Sequence, residues 1–321
     1  MIDAATLHRL LPPCDAVGAI ESVLKDGLDP EQDTPRVSTP VPGGEILLMP
    51  SRGDRFAGVK IATVAPGNSA RGLPKIQGLY VLLDADTLAP VAVMDGAELT
   101  LIRTPAVTVT AIKHLLLAGT GGLRVDRLVV FGTSVQALAH IRTATEVLDV
   151  GEVIVIGRRP DAAARLAATV AGIASENVQS GAGTPARVGG VADLDDADVI
   201  VCATSSGEPI FDGSRAKSSA VVAAIGSHGL DAREIDPELA RRADVVVEAR
   251  ASALREGGDL IPARSVEEWE RHPPANLAEL VAGAVRRRPD SPALFTGVGM
   301  SWEDLAVAGK AYERFVDPHA S

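Results

Sequence analysis

The sequence predicts an α/β fold built around a doubly wound parallel sheet, and three observations carry that prediction. Short, continuous β-branched runs recur through residues 128–248, as expected of strands buried on both faces of a sheet. Stretches of helical composition separate them, so neighbouring strands are joined by crossovers and pair in parallel. The first of these strands runs straight into a glycine turn.

That strand is Leu128-Val129-Val130-Phe131, the turn is Gly132, and helical composition follows to about Val147. A glycine here lets the backbone and the helix N-terminus approach a pyrophosphate. Against the pattern G-x-G-x-x-G/A, the run Gly132, Thr133, Ser134, Val135, Gln136, Ala137 keeps the first glycine and the final small residue. Ser134 replaces the second glycine, so the spelling alone is a weak match. The next strand, Val153-Ile154-Val155-Ile156, ends at Gly157-Arg158-Arg159, about where a dinucleotide unit presents its ribose-binding residue. Two guanidinium groups favour a 2′-phosphate over a free 2′-hydroxyl, so the expected cofactor is NADP(H), with NAD(H) possible. A helical stretch over 161–171 leads on to further strands at 198–204, 220–226 and 244–248. Gly132, Gly157, Thr204-Ser205-Ser206 and Gly226-Ser227-His228 all fall at strand carboxyl ends, where such sheets bind ligands, and Thr204 joins the cofactor-binding candidates.

Composition narrows the function classes. With 321 residues the chain is long for one hydrophobic core, and two domains are expected. Hydrophobic residues make up 46% and the formal net charge is −11, which argues against nucleic acid or an anionic membrane surface as partner. The tract Arg286-Arg287-Arg288 before Pro289 is expected to be a solvated loop. Cys14 and Cys202 have no metal or redox spacing and are expected as reduced thiols in or near the core of a cytoplasmic protein. No signal-peptide pattern opens the chain, and no run is expected to reach the roughly 20 apolar residues of a membrane span. The clearest boundary candidate is Gly119-Thr120-Gly121-Gly122.

The first third supplies oddly placed cations. Arg36 follows Pro35 in an extended segment, Lys60 lies inside the β-prone run Gly58–Val64, and Arg103 sits among apolar neighbours at the head of a helix. Lysine and arginine are rarely buried without an anionic partner, so the three together suggest a clamp for a carboxylate.

At this point the chain resembles the ornithine cyclodeaminase/μ-crystallin family. The resemblance rests on ordered matches along nearly the whole chain: Pro35-Arg36, Leu48-Met49-Pro50, Gly58-Val59-Lys60, Pro66-Gly67-Asn68, Gly72-Leu73-Pro74, Leu82-Leu83-Asp84, Met94-Asp95-Gly96, Leu99-Thr100 and Arg103-Thr104. It continues through Gly132, Gln136-Ala137, Arg233-Glu234-Ile235-Asp236, Leu294-Phe295 and Gly299. It implies a homodimer with a Rossmann-type domain over 119–299 and an α+β substrate and dimerisation domain over 1–118, completed by 300–321. It also implies that Arg36, Lys60 and Arg103 hold or polarise the carboxylate of an amino or imino acid near the nicotinamide, with Lys60 also catalytic, and that Gln136, Ala137 and Gly299 contact the cofactor.

Three departures from the family pattern matter. Ser134 replaces a glycine, Lys75 stands where cyclodeaminases tend to carry threonine, and His228 stands where they resemble one another in carrying aspartate. A histidine with a reference pKa near 6.5 can donate a proton to a substrate nitrogen near neutrality, as an imine reductase requires. The leading expectation is an NAD(P)H-dependent reductase of a small imino acid such as a pyrroline- or piperideine-2-carboxylate, with His228 as proton donor. A cyclodeaminase or amino-acid dehydrogenase, and a μ-crystallin-like binding protein with little turnover, are the alternatives.

Overall fold

A computed structural model describes residues 1–173, 183–226 and 229–317. The chain divides into two compact units, one of Met1–Val23, Gln32–Thr104 and Gly299–Ser321, the other of Leu24–Glu31 and Pro105–Val298.

The first unit opens with α1 (Ala4–Leu10), capped by the Asp3 carboxylate on the Thr6 amide, and α2 (Pro13–Lys25). An antiparallel meander follows: β1 (Val37–Val41), β2 (Gly44–Arg52), β3 (Phe56–Val64), β4 (Ile76–Asp84) and β5 (Pro90–Asp95), adjacent in that order. Strand side chains alternate between faces, and the two faces differ. Met49, Lys60, Tyr80 and Met94 lie directly across from one another and are buried. On the other face Val37, Leu48, Ile61 and Leu79 form a cross-strand apolar row, 38–54% exposed.

The helix α3 (Gly96–Gly119) contains Pro105, and the division between the units falls beside that proline. The glycine stretch expected as the boundary is instead the end of this helix: the amides of Thr120 and Gly121 both bond back to the Leu116 carbonyl, and Gly121 has φ +73°. This is a glycine-dependent helix stop rather than a linker. By length and composition α3 is apolar enough to cross a membrane, contrary to the expectation of no such run, but 61% of its most apolar stretch is buried within the protein.

The second unit is a Rossmann-type α/β layer. Its strands are β6 (Arg124–Phe131), β7 (Asp149–Ile156), β8 (Ala186–Val188), β9 (Val199–Cys202), β10 (Val221–Ala224), β11 (Asp244–Val247), β12 (Ala275–Asn276) and β13 (Ala293–Thr296). Between them run α4 (Val135–Val147), α5 (Pro160–Ala171), α6 (Pro237–Arg242), α7 (Arg250–Glu256), α8 (Val266–Arg271) and α9 (Leu277–Val281). All strand pairs are parallel, in the order β12-β11-β13-β10-β9-β6-β7-β8. Strand order reverses between β6 and β9, which opens a crevice at their carboxyl ends. Val129, Ile154, Ile200, Val222 and Leu294 belong to one core cluster with no exposed surface. After β13 the chain returns to the first unit as α10 (Ser301–Val316), which packs on β2, β3 and β4.

Two surface expectations change. Arg286 and Arg288 are exposed, as a solvated loop would have them, but Arg287 is half-buried: its guanidinium donates to the carbonyls of Ser218, Ser219, Ala220 and Ser291, while Arg288 pairs with Asp244. These arginines tie down the chain around β10 and β11. Cys202 is buried in the core, but Cys14 is exposed.

Candidate active site

Alternation along β3 turns Lys60 to the buried face of the meander, where α10 covers it. Its side chain is 3% exposed, and its ammonium lies 2.6 Å from the Asp304 carboxylate and donates to the Thr100 hydroxyl at 3.3 Å. Burial pulls its pKa down to about 8, opposed chiefly by the negative charge of Asp304. Arg103, on the third turn of α3, donates to Glu303 at 2.7 Å, and its Nε is 3.5 Å from Asp304. Glu303 and Asp304 are fully buried in the first turn of α10. Two cations expected to await an external carboxylate therefore have internal ones.

Arg36 reaches the same end of α10, donating to the carbonyl of Gly299 at 2.6 Å. Gly299 has φ +78°, and a Cβ there would lie 2.7 Å from the Arg103 guanidinium. Glycine is thus required twice over, by backbone conformation and by space. The residue expected at the cofactor stands among the cations of the first unit. Asp33 completes the arrangement: its carboxylate accepts from the Ser301 amide at 2.8 Å and caps α10, whose own N-cap residue Met300 makes no side-chain bond. Burial pushes the Asp33 carboxyl up to about 6. Lys75 is exposed at the edge of this unit and takes no part in the cluster.

In the second unit, Gly132 ends β6 with φ +117°, and a Cβ would stand 2.4 Å from the Ala203 carbonyl oxygen. Ser134 is the N-cap of α4, its hydroxyl accepting from the Ala137 amide at 3.4 Å. The departure from glycine is therefore a helix cap, and the segment from Thr133 to Gln136 forms the turn and first residues of the helix. At the end of β7, a Cβ on Gly157 would lie 2.6 Å from the Thr133 methyl. Arg158 and Arg159 follow, exposed, and neither forms an ion pair with a described residue. Ser227 and His228 lie outside the described residues.

Sequence reasoning missed Glu303 and Asp304, and gave no role to Glu234. The Glu234 carboxylate is buried between the ends of β9 and β10. One oxygen accepts from the amide and the hydroxyl of Thr204, both at 2.6 Å, and the other from the amides of Ile225 and Gly226 at 3.1 and 2.7 Å. Gly226 permits this approach, since its Cβ would lie 1.9 Å from the Thr204 carbonyl oxygen. Thr204 thus has its hydroxyl engaged by Glu234, and the loops after β9 and β10 are held by one carboxylate. Asp236 in the same motif caps α6 through the Leu239 amide.

Comparison with known proteins gives this arrangement its context. The family model described as the ornithine cyclodeaminase/mu-crystallin family matches residues 8–319. Delta(1)-pyrroline-2-carboxylate reductase 2 of Burkholderia ambifaria is 34% identical over 277 residues, covering 86% of this chain and 83% of the relative. Ketimine reductase mu-crystallin of Mus musculus is 32% identical over 312 residues, 95% of this chain and 91% of the relative. Among solved structures, Delta(1)-pyrroline-2-carboxylate reductase of Thermococcus litoralis, in complex with NADH and L-proline, superimposes with a TM-score of 0.84 at 27% identity, over 99% of this chain and 97% of that one. The iminosuccinate reductase of Paracoccus denitrificans with NAD+ does so with a TM-score of 0.86 at 25% identity, over 100% and 97%. With a family match that runs from the first helix past the buried acidic turn of α10, the chain belongs to the ornithine cyclodeaminase/mu-crystallin family.

Proposed function

We propose that the chain is an NAD(P)H-dependent oxidoreductase that reduces the C=N bond of a small imino acid, of the Δ1-pyrroline-2-carboxylate or piperideine-2-carboxylate type, to the amino acid. The observation that carries this reading is the cluster of Arg36, Lys60 and Arg103 at the head of α10. The relatives named as pyrroline-2-carboxylate and ketimine reductases support it.

The first unit acts as the substrate-binding part. Lys60 has three N–H donors and two polar partners among the described residues, Asp304 and Thr100. Its remaining donor serves an incoming carboxylate, and Arg36 and Arg103 add planar donor groups suited to the same anion. The second unit fits a dinucleotide: the glycine turn at Gly132 and the start of α4 suit a pyrophosphate. When bound, the dinucleotide supplies the hydride. Thr133, Ser134, Val135, Gln136 and Ala137 line the turn, and Thr204 is fixed near the strand ends by Glu234. Arg158 and Arg159 favour NADP(H) through its 2′-phosphate. His228 is our choice for the donor that protonates the substrate nitrogen, on its chemistry and its place in the sequence.

We also propose that a second copy of the chain covers the apolar row Val37-Leu48-Ile61-Leu79 to make a homodimer. An alanine dehydrogenase of similar fold is described as a dimer. Light scattering checks this, and a stable monomer at micromolar concentration contradicts it.

Coupled assays test the reaction. A reductase oxidises one NADPH for each imino acid consumed. A cyclodeaminase releases ammonia from ornithine with no net change in nicotinamide absorbance, and that result would overturn the reading.

A further inference from the structure

Lys60 shares its enclosure with few charges. From α10 come Asp304 at 2.6 Å and Glu303, and from α3 comes Arg103. On the neighbouring strand β4, Tyr80 lies opposite in register, with its hydroxyl bonded to Ser51 and its ionisation pushed far up by burial, so it contributes no charge. The other flanking strand presents Met49. A lysine in so dry a place, beside a guanidinium, loses its proton easily. What opposes this is Asp304, whose two oxygens face Lys60 and the Arg103 Nε, at 2.6 and 3.5 Å.

We propose that Asp304 is a positioning residue that holds Lys60 as an ammonium, fixes its distance from Arg103, and thereby sets the upper pH limit for capture of a substrate carboxylate. Glu303 has a different part, because its contact is with Arg103 at 2.7 Å, and it orients the guanidinium. Neither acid need touch the substrate. The consequence for a ligand follows from the sign of the titration. The ammonium attracts a carboxylate below the Lys60 pKa of about 8, and attraction is lost as pH rises through it. Removing the Asp304 charge lowers that pKa and moves the loss to lower pH.

The inference rests on the carboxylate-clamp reading, but its first test does not need turnover. The chain has six lysines, so 13Cε-lysine labelling gives few signals, and Lys60→Arg identifies that of Lys60. We expect a midpoint near 8 in the unaltered protein, a fall of at least about one pH unit in Asp304→Asn, and near-restoration in Asp304→Glu. Glu303→Gln should move it less than Asp304→Asn does. The second readout is calorimetric binding of L-proline to the NADP+-loaded protein across pH, whose alkaline limb should shift in parallel.

An unmoved Lys60 midpoint in folded Asp304→Asn would overturn the proposal. If that variant does not fold, Asp304→Ser, which also removes the charge, decides: a Lys60 midpoint that falls below about 8 supports the role of the charge, and one that stays near 8 contradicts it. Should Lys60 titrate as expected while L-proline shows no pH-dependent binding, the carboxylate-clamp reading fails and the electrostatic role of Asp304 stands.

Discussion

Lys60 and Arg103 are buried and already matched by carboxylates of their own chain, whereas Arg158 and Arg159 are exposed and meet no charged partner among the described residues. Both pairs are read as anion-binding groups, yet they rest on different physics. The buried cations are held by desolvation and close pairing, so breaking one pair strands a charge in the interior. The exposed arginines cost the fold little, and their attraction for an anion is screened by salt. On the proposed reading, the first region is preorganised for a small ligand, and the second leaves its strength to be realised on binding.

The sharpest way to break this contrast is a stability measurement. Lys60→Ala should lower unfolding stability by about 3–5 kcal/mol because it removes the closer cation from buried Asp304 and leaves it only the more distant Arg103 Nε at 3.5 Å. Arg158→Ala and Arg159→Ala should each change it by less than about 0.5 kcal/mol. Urea denaturation followed by circular dichroism checks both. Equal, small losses would mean that the buried pair is not a structural unit.

Cofactor affinity sharpens the other side. Losing a charge-assisted contact to a 2′-phosphate is worth about 1.5–3 kcal/mol, so the double alanine variant should bind NADPH about 10- to 100-fold more weakly with NADH binding nearly unchanged. The NADPH preference of the unaltered protein should shrink as salt rises from 0.05 to 0.5 M, on the order of a threefold fall in Debye length. Equal NADPH and NADH affinities at low salt would make these arginines a solvated corner.

A smaller effect is expected at Gly299. Alanine there meets both a positive φ and the Arg103 guanidinium, with a cost of about 1–3 kcal/mol. The variant should show a raised KM for the imino acid and an unchanged Kd for NADPH. The reverse pattern would support the cofactor contact that the family resemblance implies for Gly299.

How much of this was legible in the sequence follows from where each signal resides. The parallel strands were legible because Val129, Ile154, Ile200 and Val222 are buried on a two-faced sheet, and such strands read as unbroken apolar runs. Lys60 and Arg103 were legible because a cation among apolar neighbours is unusual. Their partners were not. Glu303 and Asp304 lie about 200 residues from Arg103 in the chain, and two acids in a helix's first turn look like ordinary complements to the helix dipole. Trp302 just before them, also buried, was the one local hint. The role of Glu234 was hidden for a related reason: its partners are mostly backbone amides, which carry no sequence signature. The Gly119–Gly122 stretch misled because a helix stop and a domain linker share the same composition.

The central claim is that Arg36, Lys60 and Arg103 act on a substrate carboxylate, and a comparison of two imines tests it most directly. Steady-state NADPH oxidation is measured with Δ1-pyrroline-2-carboxylate and with Δ1-pyrroline, which keeps the C=N bond and lacks the carboxylate. The account predicts a kcat/KM at least about 100-fold higher for the carboxylated imine, corresponding to one or two charge-assisted contacts, with most of that difference erased by Arg103→Ala. Comparable kcat/KM values for the two imines, or a difference that survives in Arg103→Ala, would contradict it.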